Sequence, residues 1–310
     1  MGMNNASVGV WQTLTLSREV RQRSTNKQKF RQFVKPEEAI GPHMGNQFSY
    51  SKMGKVAATG REVGEYDDIP TTTFPIRSNT LTAAEHSNSI EYTSRAMLFS
   101  ELSLADAIIL ALQDDYDEYM DKLAAAQFRQ ADLVYTPTGS TSSMTYTLAT
   151  NGVAGAVATR PIAAYDIKNI SDIMQDYNIP KVAGSNDFVC ITGTKGHRNV
   201  KDDGEWIDAS KYGQPGNLLD GEVGRYQQIR FLHENNALTQ SIAGGNSEMI
   251  FFGDDAVVEI ELYPMEMQAA IADSYGRFRA VRWTTFVGFD KVWDFGTDDG
   301  ETRILKVASL

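Results

Sequence analysis

Cysteine is nearly absent: the chain has one, Cys190. That excludes an internal disulfide framework and a cysteine-based zinc site. Cys190 stands in the apolar run Phe188-Val189-Cys190-Ile191, where a lone thiol reads as a small core residue. Long hydrophobic runs are missing too. No stretch approaches the roughly 18 apolar residues of a membrane-crossing helix, and no apolar signal-peptide core opens the chain. Met1-Gly2 lacks the hydroxyl residue of an acylation signal, because Ala6 stands in its place. The expected location is therefore the cytosol, or an object assembled there.

Catalytic signatures are also scarce. Gly193-Thr194-Lys195-Gly196 lacks the upstream glycine and the following hydroxyl of a phosphate-binding loop. No GxGxxG or GxSxG pattern occurs. The four histidines, His43, His86, His197 and His233, show neither metal-ligand spacing nor a neighbouring nucleophile. The motif Asp-Asp-Gly-Glu occurs twice, at 202–205 and 298–301. Neither copy fits a calcium loop, since Lys201 and Phe295 occupy ligand positions. Both read as Asp-Gly turns. No catalytic residue, cofactor or metal ligand is assigned, and the chain is not expected to be an enzyme.

What the chain does have is size, acidity and one long amphipathic stretch. At 310 residues and 42% hydrophobic, it can bury a substantial core. The net charge of −11 makes the whole a poor general nucleic-acid binder. Yet the first 35 residues carry Arg18, Arg21, Arg23, Lys27, Lys29, Arg31 and Lys35 against a lone Glu19. This basic arm is either solvated or lies on an acidic neighbour or nucleic acid.

From Ser103 to Val134 the pattern is helical. Leu104, Ile108, Ala111, Leu112, Tyr116, Tyr119, Leu123 and Ala126 recur at three- and four-residue steps, forming one stripe. Asp114, Asp115, Asp117, Glu118 and Asp121 lie between them and are expected to face water. Ser103 with Asp106 resembles a capping box. Pro137 predicts an end near Tyr135–Thr136. Such a helix would span roughly 45 Å.

Residues 46–95 read as a hairpin whose strand-like arms, NQFSYSKMGKV and SIEYTSRAML, flank the polar passage TGREVGEYDDIPTTTFPIRSNT. This hairpin has too few apolar residues to bury both faces, so a partner is expected, in the same chain or a neighbour. Further on, 136–160 reads as a loop or weak hairpin, 165–179 as a second amphipathic helix ended by Pro180, and 186–193 as a buried strand. The segment 194–213 is mixed, with room for a short helix. A glycine-bounded turn leads into a strand at 218–236, and 243–246 is a flexible tip. A strand pair is expected across Gly253-Asp254, and a terminal β-hairpin over 273–310.

Three stretches carry a family resemblance. They are Gly221-Glu222-Val223-Gly224-Arg225 running into Ile229-Arg230-Phe231, Ser274-Tyr275-Gly276-Arg277 with Val281-Arg282-Trp283-Thr284-Thr285 and Gly288-Phe289, and Arg303-Ile304-Leu305-Lys306-Val307-Ala308-Ser309. In these, and in order along nearly its whole length, the chain resembles the major capsid proteins of tailed bacteriophages with the Hong Kong 97-type fold. Among those it looks most like the N4-like phage branch. One departure is Gly193-Thr194 after the apolar strand, where that branch often has His-Pro.

The resemblance implies an α+β fold with an N-terminal arm (1–40) and an extended loop hairpin with flanking strands (41–100). It implies a peripheral domain (101–160) with its spine helix, an axial domain (161–270), and C-terminal strands returning to the peripheral domain (271–310). The implied function is a structural protein that self-assembles as pentamers and hexamers into an icosahedral virion capsid around double-stranded DNA, built in the host cytoplasm. Implied partners are other copies of the chain, a separate scaffolding protein, a portal protein, an optional decoration protein and non-specifically packaged DNA, with no membrane. Expected interface residues are Arg18, Arg21, Arg23, Lys27 and Lys29 in the arm, and Arg61, Glu62, Glu65, Asp67 and Asp68 at the hairpin tip. Covalent crosslinking through Lys52 or Lys55 is not expected, since no acceptor can be assigned. The helix stripe should pack on Val281–Val287 and Ile304–Val307, with Asp114–Glu118 facing solvent or a basic arm. Two alternatives stay open: a cellular nanocompartment shell of the same fold, and a metal-dependent hydrolase using the Asp pairs.

Overall fold

The computed structural model describes residues 28–37, 45–99, 104–193, 196, 198–201, 222–234, 238, 247–270, 275 and 277–309. These residues form an α+β structure with three sheets.

The largest sheet has seven strands: β5 (Leu133–Ser140), β6 (Ser143–Ala149), β7 (Phe188–Thr192), β8 (Glu222–Tyr226), β9 (Ile229–His233), β10 (Ser247–Phe252) and β13 (Ile304–Ser309). Their spatial order is β6-β5-β13-β10-β7-β9-β8. Every residue of β7 is buried, as expected of a strand covered on both faces. Phe188 and Cys190 face one cluster with Ile167, Ile170 and Met174 of the helix Ala164–Asp176. Val189 and Ile191 face the other, with Ala124, Ala125 and Phe128. Cys190 is thus the core residue predicted, and burial pushes its thiol far up. The second amphipathic helix is also as predicted, except that it stops at Asp176, before Pro180.

The second sheet has the order β1-β11-β12-β4, from β1 (Lys35–Pro36), β4 (Ala84–Thr93), β11 (Val257–Ala269) and β12 (Phe278–Lys291). The third is a hairpin with a different second arm from the one expected. β2 (Gln47–Met53) pairs antiparallel with β3 (Ile76–Thr82), which the sequence reading placed largely in the polar tip, from Gln47↔Thr82 to Met53↔Ile76, while the expected arm at 89–93 pairs with β12 instead. Among the described residues there are four helices, α1 (Ser94–Phe99), α2 (Leu104–Phe128), α3 (Ala164–Asp176) and the short α4 (Arg198–Lys201), with a 3-10 turn at Arg31–Phe33.

Helix α2 braces the two large sheets. Ile108, Leu112, Tyr116 and Met120 pack on Trp283 and Val287 of the four-stranded sheet. Ala124, Ala125 and Phe128, one to two turns on, pack on Ile304 and Phe252 of the seven-stranded sheet. The stripe therefore meets the predicted strands. Its makeup differs, because Ala111, Tyr119 and Ala126 are exposed while Met120 and Ala124 are buried.

Several boundaries differ from the sequence reading. Helix α2 ends at Phe128, not near Thr136. Leu133, Val134 and Tyr135 instead form parallel β pairs with Leu305, Lys306 and Val307. Pro137 sits inside β5, opposite Tyr146. The pairing with β13 stops at Tyr135, so the missing proline N–H breaks no ladder on that side. The predicted cap residue Ser103 lies outside the described residues. The β pattern of SIEYTSRAML stops at Thr93, and Ser94–Phe99 is helical. The stretch 138–149 is a true hairpin.

Two predicted hairpins are not hairpins. β10 and β11 flank Gly253 but belong to different sheets, as do β12 and β13. Gly253 marks the crossing: a Cβ there would run into the carbonyl oxygen of Pro180. The turn near 224 also moves. Gly224 lies within β8, and the reversal falls at Gln227-Gln228, whose φ of 49° and 60° suit a type I′ hairpin. The motif at 202–205 and the tip at 243–246 lie outside the described residues.

Candidate inter-subunit interface

The hairpin separates into a fixed root and a bare tip. At the root, Lys52 is buried between β2 and the loop after β12. Its ammonium pairs with Asp298, donates to the Val292 carbonyl at 2.8 Å, and lies 5.5 Å from the centroid of the Trp293 ring. Arg77 on β3 donates to Asp299 at 2.8 Å. The Tyr50 hydroxyl donates to Asp290 at 3.2 Å. Burial raises the pKa of both Tyr50 and Asp290, so the phenol keeps its proton for that bond. Leu81 and Ala83 join Val258, Ile260 and Val292 beneath. The root thus finds its partner in the same chain.

The second Asp-Asp-Gly-Glu motif serves this anchorage. It is the predicted turn, with Asp299 at φ 57° and Gly300 at φ 81°. The turn presents Asp298 inward to Lys52 and Asp299 outward to Arg77. Its two aspartates are committed to holding the hairpin, and Lys52 is committed to Asp298.

The tip is different. Residues 54–75 have no regular structure beyond a turn at Glu65–Tyr66. Arg61, Glu62, Glu65, Asp67 and Asp68 are brought together there, all exposed. Their contacts are local: Asp67 accepts from the Gly64 N–H at 3.3 Å, and Arg61 donates to the Asp68 carbonyl at 3.4 Å. Tyr66, amid these charges, is 95% exposed, and Val63 and Ile69 are exposed beside it. Apolar side chains left in water at the end of a long hairpin are surface without a cover in this chain.

The arm is described only at its root. Arg18, Arg21, Arg23 and Lys27 lie outside the described residues. Lys29 is 5% exposed, so it is a buried root residue and not a free arm cation. What holds the root is a residue the sequence reading placed in water. Asp121 of α2 is buried, and its Oδ1 accepts from the backbone N–H groups of Lys29, Phe30 and Arg31 at 2.9, 2.8 and 3.2 Å. Burial raises the Asp121 pKa, against the lowering pull of those three donors. Beside it, the Arg31 guanidinium holds Glu259 at 2.6 Å and Tyr116 at 3.2 Å. Burial works against the charge on Arg31, and Glu259 outweighs it, raising the pKa. Gln28 donates to Asp117 at 2.8 Å.

A signal for Asp121 was present. It stands four residues from Asp117 and from Ala125, and seven from Phe128, at the edge of the apolar stripe. Asp115 is also only partly in water: its Oδ2 accepts from Trp283 Nε1 at 2.9 Å and from Asn88 at 2.8 Å.

No family model matches the chain, and no curated protein matches its sequence. Solved structures do. The capsid of Ralstonia phage GP4 superposes with a TM-score of 0.71 at 14% identity, over 96% of this chain and 95% of that one. The cyanophage Pam1 capsid asymmetric unit gives 0.68 at 13%, over 99% and 98%. The capsid of Helicobacter pylori bacteriophage KHP30 gives 0.68 at 12%, over 100% and 98%.

The chain has a phage-capsid fold. That fold is the Hong Kong 97-type α+β architecture expected from the resemblance, and the likeness runs from end to end of both partners. At such identities it is a likeness of backbone. The capsid fold accounts for the three-sheet layout and the brace helix. The side chains at tip and root are this chain's own.

Proposed function

We propose that this chain is a major capsid protein of a tailed phage, a structural protein that self-assembles into the shell of the head. The observation that carries the proposal is the end-to-end match of fold to several phage capsids. Copies group as pentamers and hexamers of an icosahedral shell around double-stranded DNA, assembled in the host cytoplasm. The bare hairpin tip with its five charged residues supports a role between copies. A chain built to work alone has little use for an exposed Tyr66 on such an extension. Head-to-tail contacts of this kind close around rotation axes.

Residues 1–40 then act as the arm, 41–100 as the extended loop, 101–160 as the peripheral domain, 161–270 as the axial domain, and 271–310 as the returning strands. Arg18, Arg21, Arg23 and Lys27 face an acidic neighbour or the packaged DNA, and Arg61, Glu62, Glu65, Asp67 and Asp68 face a neighbouring subunit. A separate scaffolding protein, a portal and an optional decoration protein complete the set of partners. For the N4-like branch, support comes from the β8–β9 hairpin, which carries the residues of that resemblance. There Arg225 and Arg230 converge on the buried carboxylate of Asp187.

Light scattering and electron microscopy of the purified chain, alone and with its neighbouring genes, test this reading. Rings or closed shells of megadalton size are expected. A strict monomer with metal-dependent turnover overturns it. The hairpin's part is tested by replacing residues 55–74 with a short linker. Leu81 and Ala83 stay in the core, so the subunit should fold. If such chains still close shells, the tip is not the clamp.

A further inference from the structure

Two exposed surfaces of the described structure are rich in apolar side chains, and they carry opposite charge. The hairpin tip is acidic: residues 61–68 hold one arginine against four carboxylates around Tyr66. The other surface is the end of the four-stranded sheet, where β4 runs into α1 and β12 begins. There Leu98 is 82% and Phe99 78% exposed, and Phe278 at the start of β12 is exposed as well. Its described charges are Arg95, Arg277 and Arg279 against Glu91, an excess of arginine. The Arg95 guanidinium lies 5.6 Å from the centroid of Phe99, and that of Arg277 lies 5.8 Å from the centroid of Phe278. The Ser94 N–H donates to the Arg277 carbonyl at 3.0 Å, and Thr93 pairs with Phe278, so both pairs occupy one end of the sheet. Among the described residues, neither guanidinium has a carboxylate partner.

We propose that these two surfaces bind each other between copies. The acidic tip of one copy docks on the arginine–phenylalanine end of the next, with Tyr66 and Ile69 covering Leu98 and Phe99, and Glu62 and Glu65 taking Arg95 and Arg277. This rests on the shell reading and names the surface that receives the tip. Charge selects the occupant: two arginine ends repel each other, and so do two acidic tips, whereas tip and end attract. Chemistry favours the same match. Arginines and aromatic rings are the residues that anchor protein interfaces. A guanidinium already laid over a ring, with its planar fork of donors, loses little freedom on accepting a carboxylate. The contact is heterologous, as a closed shell requires.

Charge reversal in the full chain tests the pairing. Glu62→Arg with Glu65→Arg should lower the yield of shells roughly tenfold. Arg95→Glu with Arg277→Glu should do the same. All four side chains are exposed, so circular dichroism and the thermal midpoint should stay those of the unaltered chain. The four changes combined restore the charge match in every copy and should recover most of the yield. If the combined variant stays as defective as either pair while the unaltered chain assembles, this docking is overturned and the shell reading stands. If the unaltered chain forms no oligomer, both fail. A second measurement does not depend on charge. In a chain carrying Tyr66→Cys and Leu98→Cys, oxidation of assembled material should give a ladder of disulfide-linked copies, which neither single variant gives. Cys190 is buried and should take no part. Absence of the ladder in assembled shells overturns the docking.

Discussion

Trp283 and Asp115 are joined by a hydrogen bond: the indole N–H on β12 donates across 2.9 Å to a carboxylate on α2. Asn88 on β4 donates to the same oxygen at 2.8 Å, and Tyr116 meets the indole edge-on at 5.4 Å. One carboxylate thus fastens two strands to the brace helix. Trp283→Phe should cost about 2–3 kcal/mol, from a lost bond and a partly empty site. Asp115→Ala, on the wetter side of that bond, should cost about 1 kcal/mol. Denaturant unfolding of the unassembled subunit measures both.

Lys52 and Asp298 are both buried, so removing one partner leaves a charge stranded. Lys52→Met should destabilise the subunit by about 3 kcal/mol, partly relieved by Arg77, whose guanidinium lies 3.6 Å from Asp298. Adding Asp298→Leu should recover most of that loss, because the stranded charge goes with it. A double-mutant cycle on unfolding free energies decides the matter. If the double variant is worse than Lys52→Met alone, the pair is a net stabiliser and not merely a matched burial.

Asp121→Ala removes the acceptor of three backbone N–H groups at the arm root. Amide hydrogen exchange at Lys29, Phe30 and Arg31 should quicken by roughly tenfold or more, with the core of α2 unchanged. The pH dependence at this site has an unusual sign. The folded state raises the Asp121 pKa and so holds its proton more tightly than the unfolded chain does. Its contribution to stability therefore declines as pH rises through the carboxylate range. Asp121→Asn should remove that decline.

Asp294 has the opposite sign. Burial pushes its pKa up, but the Lys291 ammonium and the N–H groups of Gly296 and Thr297 outweigh this and hold it below the ordinary value. Its stabilisation is present above the unfolded pKa and is lost as pH falls through the folded one. Asp294→Asn should flatten the acid limb of the stability profile. An unchanged acid limb would show that the Lys291 contact carries no folding free energy.

Legibility in the sequence tracked the range of the interactions. β2, β7 and α3 were readable because local alternation and helical period specify them; β3 was not, because Ile76–Thr82 is polar in composition and its pairing with β2 decides it. The end of α2 was not. Leu133-Val134-Tyr135 continue an apolar pattern that suits either state, and a strand forms because residues 305–307 lie alongside. The same holds at Gly253 and after Lys291, where neighbouring strands part into separate sheets, a choice made by distant partners. At the interface, the charged tip was visible as composition. The Asp121 anchor was missed because a carboxylate between helical turns reads as solvated until a second segment covers it. The arginine–phenylalanine end of the sheet was missed because Arg95 and Arg277 are far apart in sequence and are brought to one end only through the pairing of β4 with β12.

The position of β13 has a consequence for synthesis. It lies between β5 and β10 near the middle of the seven-stranded sheet, yet it follows every other described strand in the sequence. A nascent chain can make the β5–β6 hairpin and the β7–β9–β10 group, but the two halves share no hydrogen-bonded seam until residues 304–309 have left the ribosome. A chain interrupted before that point presents two unsealed strand edges and no finished body. Emergence of residues 304–309 is thus a physical condition for joining the two halves of the seven-stranded sheet into one body.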